Sequence, residues 1–370
     1  MVISHPLRSS GFNVNLKGLL ADLTLRQHVC LDDVCTLDWV HSAFQDGAIT
    51  CEMWLFTQAA EELELCSFAS VEAFLKRPGW SFPRHLHHES AGLHRIFNKW
   101  RSDSSHQTEK LKCSSSEAIS LYGLFRHYVE TCIPRRPELE LKRASLIAAF
   151  EFIDRIMEVK RGIVDVRDAI GPLRQTLSNF MRLHVRAYGK TNIKPKHHWL
   201  FDILDQLLRD LMLLDSFTLE RLHLRVRLVA SDVDNTRQYE KSVLSRLLVR
   251  CMTTARESER PQRLLGPVAP LPQDRSVWVA DSMDADRCLV SIGDMVFCGG
   301  ADLQAAEVKA CLLEDDSLYA ALEMLQRVTV MSPSSSQWRR GGRHVLVRSE
   351  VLEQSRAWYW TNDIVTILRA

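Results

Sequence analysis

The sequence lacks the short motifs that mark several common enzyme classes. It contains no G-x-x-x-x-G-K-[ST] loop, no G-x-G-x-x-G loop and no G-x-S-x-G turn. These glycine-rich turns bring backbone amides or a nucleophilic serine up to a substrate. Their absence disfavours a nucleotide-driven enzyme and a serine hydrolase.

Long apolar runs and paired cysteines are missing as well. No stretch of about 18 apolar residues is present, and the N-terminus lacks the apolar core of a signal peptide. The ten cysteines form no C-x-x-C pair and no zinc-finger spacing with histidine. We therefore expect reduced thiols, no membrane contact, and a nuclear or cytoplasmic protein that is not secreted.

The chain also lacks an excess of charge of either sign. Its 47 Lys and Arg nearly balance 46 Asp and Glu, which leaves a formal net charge of +1. Binding to nucleic acid would therefore need a local basic patch. A length of 370 residues with 46% hydrophobic residues is ordinary for a globular chain and favours two or three domains.

The pattern along the chain predicts a mostly α protein with a C-terminal β domain. Residues 1–35 show no clear long element, whereas apolar residues at helical spacing favour a helical block over 36–256. Four prolines within 257–276 predict a linker. Alternating β-branched stretches over 277–370 predict a small β-barrel or sheet. Within the latter, Ser317 to Met331 fits a strand or a helix by pattern.

A first candidate site is Asp38-Trp-Val-His41, which Gly47 and Glu52 follow. An acid and an imidazole three residues apart at the start of a helix face the same way and could hold a metal or a phosphate. The alternative is that Asp38 is an N-cap or a first-turn acid, which the helix dipole favours.

A second candidate is the basic turn Lys194-Pro-Lys196-His197-His198. Its cations and the free backbone N–H groups at the helix start could meet a phosphate. Because the two histidines are adjacent, one of them should face inward. The alternative is a basic helix start with one histidine in the core.

The third candidate is Glu220-Arg221-Leu-His223. Glu220 and His223 would project from one helical face beside an apolar stripe, where the glutamate could be a metal ligand. The alternative is an exposed face on which Glu220 pairs with Arg227, and such a surface pair contributes little.

Aromatic and basic residues also meet near the C-terminus. Three tryptophans stand near arginines, an arrangement that could stack on nucleotides or pack the core of the β domain: Trp338, Trp358, Trp360, Arg339, Arg340 and Arg343.

In their order, the three candidate motifs resemble the C-terminal half of CACTA-type (En/Spm- or Plavaka-like) DDE transposases, and the chain resembles transposon-derived open reading frames of dinoflagellates. The matching stretches are Asp38 to His41, Lys194 to His198, and Phe217-Thr-Leu-Glu220-Arg221. The resemblance implies an RNase H-like core with a long helical insertion and a nuclear, DNA-binding protein. It makes Asp38 and Glu220 the catalytic and metal-binding acids for Mg²⁺ or Mn²⁺. It gives orienting or DNA-contacting roles to His41, Lys194, Lys196, His197, His198, Arg221 and His223.

The sequence departs from this family at the first catalytic acid. Only 37 residues precede Asp38, and the acids among them stand too close to it for the early strands of such a sheet. Residues 1–35 would then be a remnant of the catalytic sheet. We expect a fragment that is inactive alone. The competing hypothesis is a non-enzymatic interaction protein that binds a partner chain, a second copy or nucleic acid.

Overall fold

The computed structural model describes residues 24, 36–77, 79–82, 92–98, 110–215, 230, 239–258, 263–285, 288–299, 303–332, 335–355 and 357–368. Contacts divide the chain into a helical unit, Met1–Arg77 with Ala91–Asp215, and a β unit, Pro78–Ser90 with Ser216–Ala370. The division falls at residue 215, whereas the sequence pattern placed it at 256. No helix in the described part of the chain is long and apolar enough to cross a membrane.

Helices in the described residues of the helical unit follow the predicted block closely. They are α1 Trp39–Ala43, α2 Ala48–Glu62, α3 Phe68–Leu75, α4 Ser115–Thr131, α5 Pro137–Lys160, α6 Val166–Tyr188 and α7 Pro195–Asp210, with 3-10 turns at Leu93–Phe97 and Lys190–Asn192. A further helix, α8 Tyr239–Ser258, belongs to the β unit.

Local sequence signals explain where these helices begin and end. Ser114 caps α4: its hydroxyl accepts from the N–H of Glu117 at 3.2 Å, and the Glu117 carboxylate accepts from the N–H of Ser114 at 2.8 Å. Pro137 occupies the first turn of α5, where its missing N–H costs nothing. Gly162 follows α5 with φ +68°, a left-handed conformation that glycine commonly adopts just past the end of a helix.

The core of the helical unit is aromatic. Phe125 of α4 stacks on Phe97 with ring centroids 5.8 Å apart, and it meets Phe56 and Phe150 edge-on at 6.5 and 6.4 Å. All four rings are at most 1% exposed. This packing holds α2, α4 and α5 together with the 3-10 turn Leu93–Phe97.

The β unit is a ten-stranded antiparallel sheet that curls. Its strands are β1 Arg263–Pro270, β2 Trp278–Ala285, β3 Cys288–Ser291, β4 Met295–Cys298, β5 Gln304–Glu314, β6 Ser317–Ser332, β7 Ser335–Arg348, β8 Leu352–Gln354, β9 Ala357–Thr361 and β10 Ile364–Leu368. The order is β1-β2-β5-β6-β7-β10-β9, with β3 on β2 and β4 between β5 and β8.

Two sequence predictions for this region need correction. The predicted barrel is an open, curled sheet, because the described strands show no pairing between the end strands β1 and β9. The predicted linker over 257–276 contains β1, which pairs with β2 from Arg263↔Asp284 to Pro270↔Trp278. Its prolines are tolerated because β1 is an edge strand with a bulge between Leu265 and Val268.

The open choice at Ser317 to Met331 is decided by pairing. Ser317–Ser332 is the long strand β6, which lies between β5 and β7. The sequence pattern fits a strand or a helix, whereas ladders on both sides of the first half of β6 require an extended backbone.

The tryptophans near the C-terminus pack the sheet. Trp338 and Trp358 are 3% and 5% exposed and belong to one apolar cluster, which confirms the core-packing interpretation. The guanidinium of Arg340 lies 5.2 Å from the ring centroid of the half-buried Trp360. Arg340 also forms an ion pair with Glu323 at 3.4 Å. Arg340 therefore packs on the surface of the sheet.

The described residues of the helical unit, 36–77, 92–98 and 110–215, contain helices and turns and no β-strand. An RNase H-like core needs a sheet against which its helices pack. Residues 1–35, where the sequence places the remnant of that sheet, lie outside the described residues apart from Thr24.

Candidate functional site

Asp38 caps α1 and holds His41. Its Oδ1 accepts from the backbone N–H groups of Val40 at 2.8 Å and His41 at 3.2 Å, and its Oδ2 accepts from Nδ1 of His41 at 2.7 Å. The two side chains are 21% and 30% exposed. The N-cap interpretation of Asp38 is therefore confirmed. The contact also fixes the His41 ring with Nε2 on the side away from the carboxylate.

Lys196 joins the second motif to the first. Its Nζ donates to the backbone oxygen of His41 at 3.2 Å and to that of Gln45. Both acceptors lie in or just after the last turn of α1, where carbonyls lack helical partners. Burial lowers the pKa of Lys196. The nearby Asp46 carboxylate raises it, but by less than burial lowers it. The structure thus brings two predicted site motifs into direct contact across 155 residues of sequence.

The two adjacent histidines point in opposite directions, as the sequence predicted. His197 is fully buried, while His198 is exposed. Nδ1 of His197 accepts from the N–H of Lys194 at 3.1 Å, so its neutral ring carries the proton on Nε2. Burial lowers the pKa of His197 to about 3, and the nearby His184 lowers it further. No solvent reaches the His197 ring in the folded chain, and its predicted orienting or DNA-contacting role stays a prediction.

Two further contacts hold the start of α1 against the end of α7. The side chain of Gln206 accepts from the N–H of Leu37 at 2.7 Å and donates to its carbonyl at 3.0 Å. The N–H of Trp39 donates to the carbonyl of Leu214 at 3.4 Å. A two-way amide contact fixes both position and orientation, so Asp38 is set by α7 as well as by its own helix.

A buried polar pair lies behind this site. Nδ1 of His184 in α6 lies 2.5 Å from Oε2 of Glu52 in α2, and both side chains are fully buried. Burial raises the pKa of Tyr188 well above its ordinary value, and the facing Glu52 carboxylate adds to the rise. The ring of His184 lies 4.8 Å from that of His197.

Sequence reasoning noted Glu52 after Asp38 but did not identify His184. An isolated acid within the apolar run Ala48 to Ala60 was the available signal, because a buried carboxylate needs a partner. Its partner stands 132 residues away, which no local pattern could reveal. A fully enclosed pair has no access to a substrate, so it positions helices.

An open cleft of about 370 Å³ adjoins the acceptor of Lys196. It is lined by Gln45, Asp46, Lys110, Lys112, Cys113, Ser114 and Glu117. Nζ of Lys110 pairs with the Asp46 carboxylate at 2.7 Å. The start of α4 lies at the edge of the cleft. The cleft lining thus combines two lysines with two acids, Asp46 and Glu117, so its formal charges balance.

The third motif cannot be placed beside the other two. Glu220, Arg221 and His223 lie outside the described residues, which end at 215 and resume at 230. The predicted pairing of Asp38 with Glu220 as metal ligands stays a prediction.

The described residues show no site for a pair of divalent ions. In the described part of the chain, no group of three or more His, Cys, Asp or Glu could hold a metal ion. Asp38 directs both oxygens at N–H donors, whereas hard cations require several oxygen ligands that converge. We derive no catalytic step through Mg²⁺ or Mn²⁺.

Comparisons with known proteins give no relative for this chain. No protein-family model matches it, and neither a curated protein nor a solved structure matches it significantly.

Proposed function

We propose that this chain is a fragment of a transposon-derived DDE transposase that contacts DNA and does not cleave it alone. The observation that carries the proposal is the hydrogen bond from Lys196 to the backbone of His41. It unites, across a long helical insertion, the two motifs that the family resemblance expects at one site. This contact supports the proposal that the two motifs belong to one site.

The outer side of this site suits a phosphate backbone. His198 is exposed, His41 is 30% exposed, and Lys194 is half-buried at the start of α7. Lys112 lines the adjoining cleft, where Lys110 is paired with Asp46. Lysine contacts to phosphate give affinity without sequence preference, and each one adds to the salt dependence of binding.

The inner side of the site supports the second half of the proposal, the lack of cleavage. Asp38 caps α1 and holds the ring of His41, and both of these roles are structural. Two-metal cleavage needs acids that share two ions about 4 Å apart. With Asp38 held in this way, we expect no metal-dependent nicking of DNA by the isolated chain.

The direct test is DNA binding by the full chain. The affinity for a short fluorescent duplex would be measured by anisotropy over a series of salt concentrations. We expect Lys194→Ala to weaken binding about threefold or more and to lower the salt slope by about one unit. Arg136→Ala, which removes an exposed cation at the start of α5, is the matched control and should have little effect.

Two results would contradict the proposal. The DNA-binding half fails if the wild-type chain does not bind the duplex at low salt, or if both variants lose affinity equally. The second half fails if Mn²⁺ supports nicking of a supercoiled plasmid and Asp38→Asn abolishes it.

One observation favours the second candidate function, a non-enzymatic interaction protein. A stretch of strand β6 in the β unit is exposed on both faces and carries apolar side chains. Exposed strand edges of this kind pair with other chains. The two candidates differ in their readout, because pairing through β6 does not depend on Lys194.

A further inference from the structure

The stretch between Asp168 and Asp202 carries charge of one sign only. It holds six lysines and arginines and no aspartate or glutamate, whereas the whole chain has a formal net charge of only +1. It comprises most of α6, the turn Lys190–Asn192 and the start of α7. A local excess of cations on a nearly neutral chain is the feature that attraction of a polyanion requires.

The outer face of α6 carries two of these cations. Leu173, Leu177 and Phe180 recur at helical spacing on the buried face of the helix. Arg182 and Arg186 are exposed and stand four residues apart, so they project together from the side opposite that apolar stripe.

Neutral polar residues and a third cation continue this exposed surface. Gln175 and Ser178 are exposed on the turns before Arg182. Serine and glutamine are among the neutral side chains that contact phosphate in protein–DNA complexes. Lys190 is exposed in the turn that leads to α7. We call the surface formed by these residues the α6 surface: Gln175, Ser178, Arg182, Arg186 and Lys190.

The three cations of the α6 surface are not neutralised by acids in the described part of the chain. Arg186 and Lys190 form no ion pair there. Nη2 of Arg182 donates to the neutral side chain of Asn179 at 2.8 Å. A guanidinium has five N–H donors, so this contact leaves donors for an anion.

The other cations of the stretch have separate contacts. Arg174 pairs with Asp205 of α7, and Lys196 donates to the backbone at the end of α1. Lys194 belongs to the site described above. The α6 surface therefore adds three cations to that site and no acid.

The spacing of the arginines suits the phosphates of a duplex. Arg182 and Arg186 are four residues apart, which is about 6 Å along the axis of an α-helix. Successive phosphates of one strand advance about 3.4 Å along the axis of a duplex, so two steps cover about 7 Å. A rigid row of cations can contact a rigid row of phosphates directly, whereas a flexible acidic peptide would first have to be ordered.

We propose that a nucleic-acid duplex runs from the site at Lys194 onto the α6 surface, where its phosphates contact Arg182, Arg186 and Lys190. This inference rests on the proposed function, because the duplex is held at Lys194 as well. The added contacts carry no sequence preference, since cations on phosphate fix the position of a duplex and do not read its bases.

The test uses the full chain and two fluorescent duplexes of unrelated sequence, with affinity measured by anisotropy over a series of salt concentrations. We expect Arg182→Ala combined with Arg186→Ala to weaken binding to both duplexes about tenfold and to lower the salt slope by about two units. Alanine has the highest helix propensity, so the double variant should retain α6, which circular dichroism checks.

A matched control removes the same charge from other exposed positions of α5 and α6. Arg155 and Arg167 are exposed, and acids stand close to both in sequence. Glu151 precedes Arg155 by one turn, while Asp165 and Asp168 flank Arg167. Arg155→Ala combined with Arg167→Ala should therefore leave the affinity and the salt slope near those of the wild type.

Four results would overturn the inference. Binding that depends on Lys194 but keeps its salt slope in the α6 double variant would do so and leave the proposed function standing. An equal loss in the control variant would indicate a general effect of net charge. Poly-glutamate that binds as tightly as the duplexes, and loses as much affinity in the α6 double variant, would assign the surface to an acidic protein partner. A wild-type chain that binds neither duplex at low salt would contradict both this inference and the proposed function.

Discussion

The buried imidazole of His197 makes the helical unit sensitive to acid. An ordinary histidine has a pKa near 6.5, and burial lowers that of His197 to about 3. The unfolded chain therefore takes up a proton at a pH where the folded chain does not. The stabilisation is fully present above the unfolded pKa and is lost as the pH falls from 6.5 towards 3.

The size of the effect follows from these two pKa values. One pKa unit corresponds to about 1.4 kcal/mol, so lowering the pH from 7 to 5 should remove about 2 kcal/mol of the free energy of unfolding. His127, which is 2% exposed, adds a similar amount, because burial lowers its pKa to about 4. Together they cost about 4 kcal/mol, a large part of the stability of a typical domain.

The test is urea unfolding at pH 7 and pH 5, followed by fluorescence and circular dichroism. His197→Asn keeps an acceptor for the N–H of Lys194 and removes the titration. The loss of stability between the two pH values should therefore shrink by about 2 kcal/mol. His198→Asn is the matched control, because the neighbouring ring is exposed in the folded chain. An equal pH dependence of wild type and His197→Asn would refute the reasoning.

Three further substitutions test the packing of the helical unit by the same unfolding measurement. Gly47→Ala should destabilise by about 3 kcal/mol or more, because a Cβ there would lie 2.3 Å from the backbone of the last residue of α1; stability within about 0.5 kcal/mol of wild type would contradict this. Arg126→Leu should cost about 2 to 3 kcal/mol, since it leaves Glu130 and the partly exposed Asp154 without the buried guanidinium 2.9 and 2.5 Å away. Lys196→Met should cost about 1 to 2 kcal/mol through two lost hydrogen bonds, and an unchanged midpoint would show that they contribute nothing.

Much of the fold was predictable from local chemistry. The capping signal at Ser114, the apolar spacing around Phe150 and the glycine at 162 are short-range features, and each fixes a helix or its end. The change to alternating β-branched residues over 277–370 likewise predicts the sheet. The edge strand β1 was missed because its prolines and glycine indicate a turn when its partner β2 is unknown.

The candidate site was predictable in part. Residue types and order pointed to Asp38, His41, Lys196 and the two histidines, and adjacency alone required one histidine to face inward. Which of the two faces inward depends on the packing of α7 against α6, where the ring of His197 meets Phe180 and His184.

What the sequence by itself determined is therefore local: the helix ends, the kind of secondary structure, and the set of polar groups that need partners. Only the tertiary structure decided which distant groups meet. Glu52 contacts His184, which is 132 residues away in sequence. Lys196 contacts the end of α1 across a separation of 151 to 155 residues. The extent of pairing along β6 was decided in the same way, because β5 pairs with it only between Ser317 and Met324. Helix caps act within a few residues, whereas burial and strand pairing join segments whose separation leaves no periodic signal.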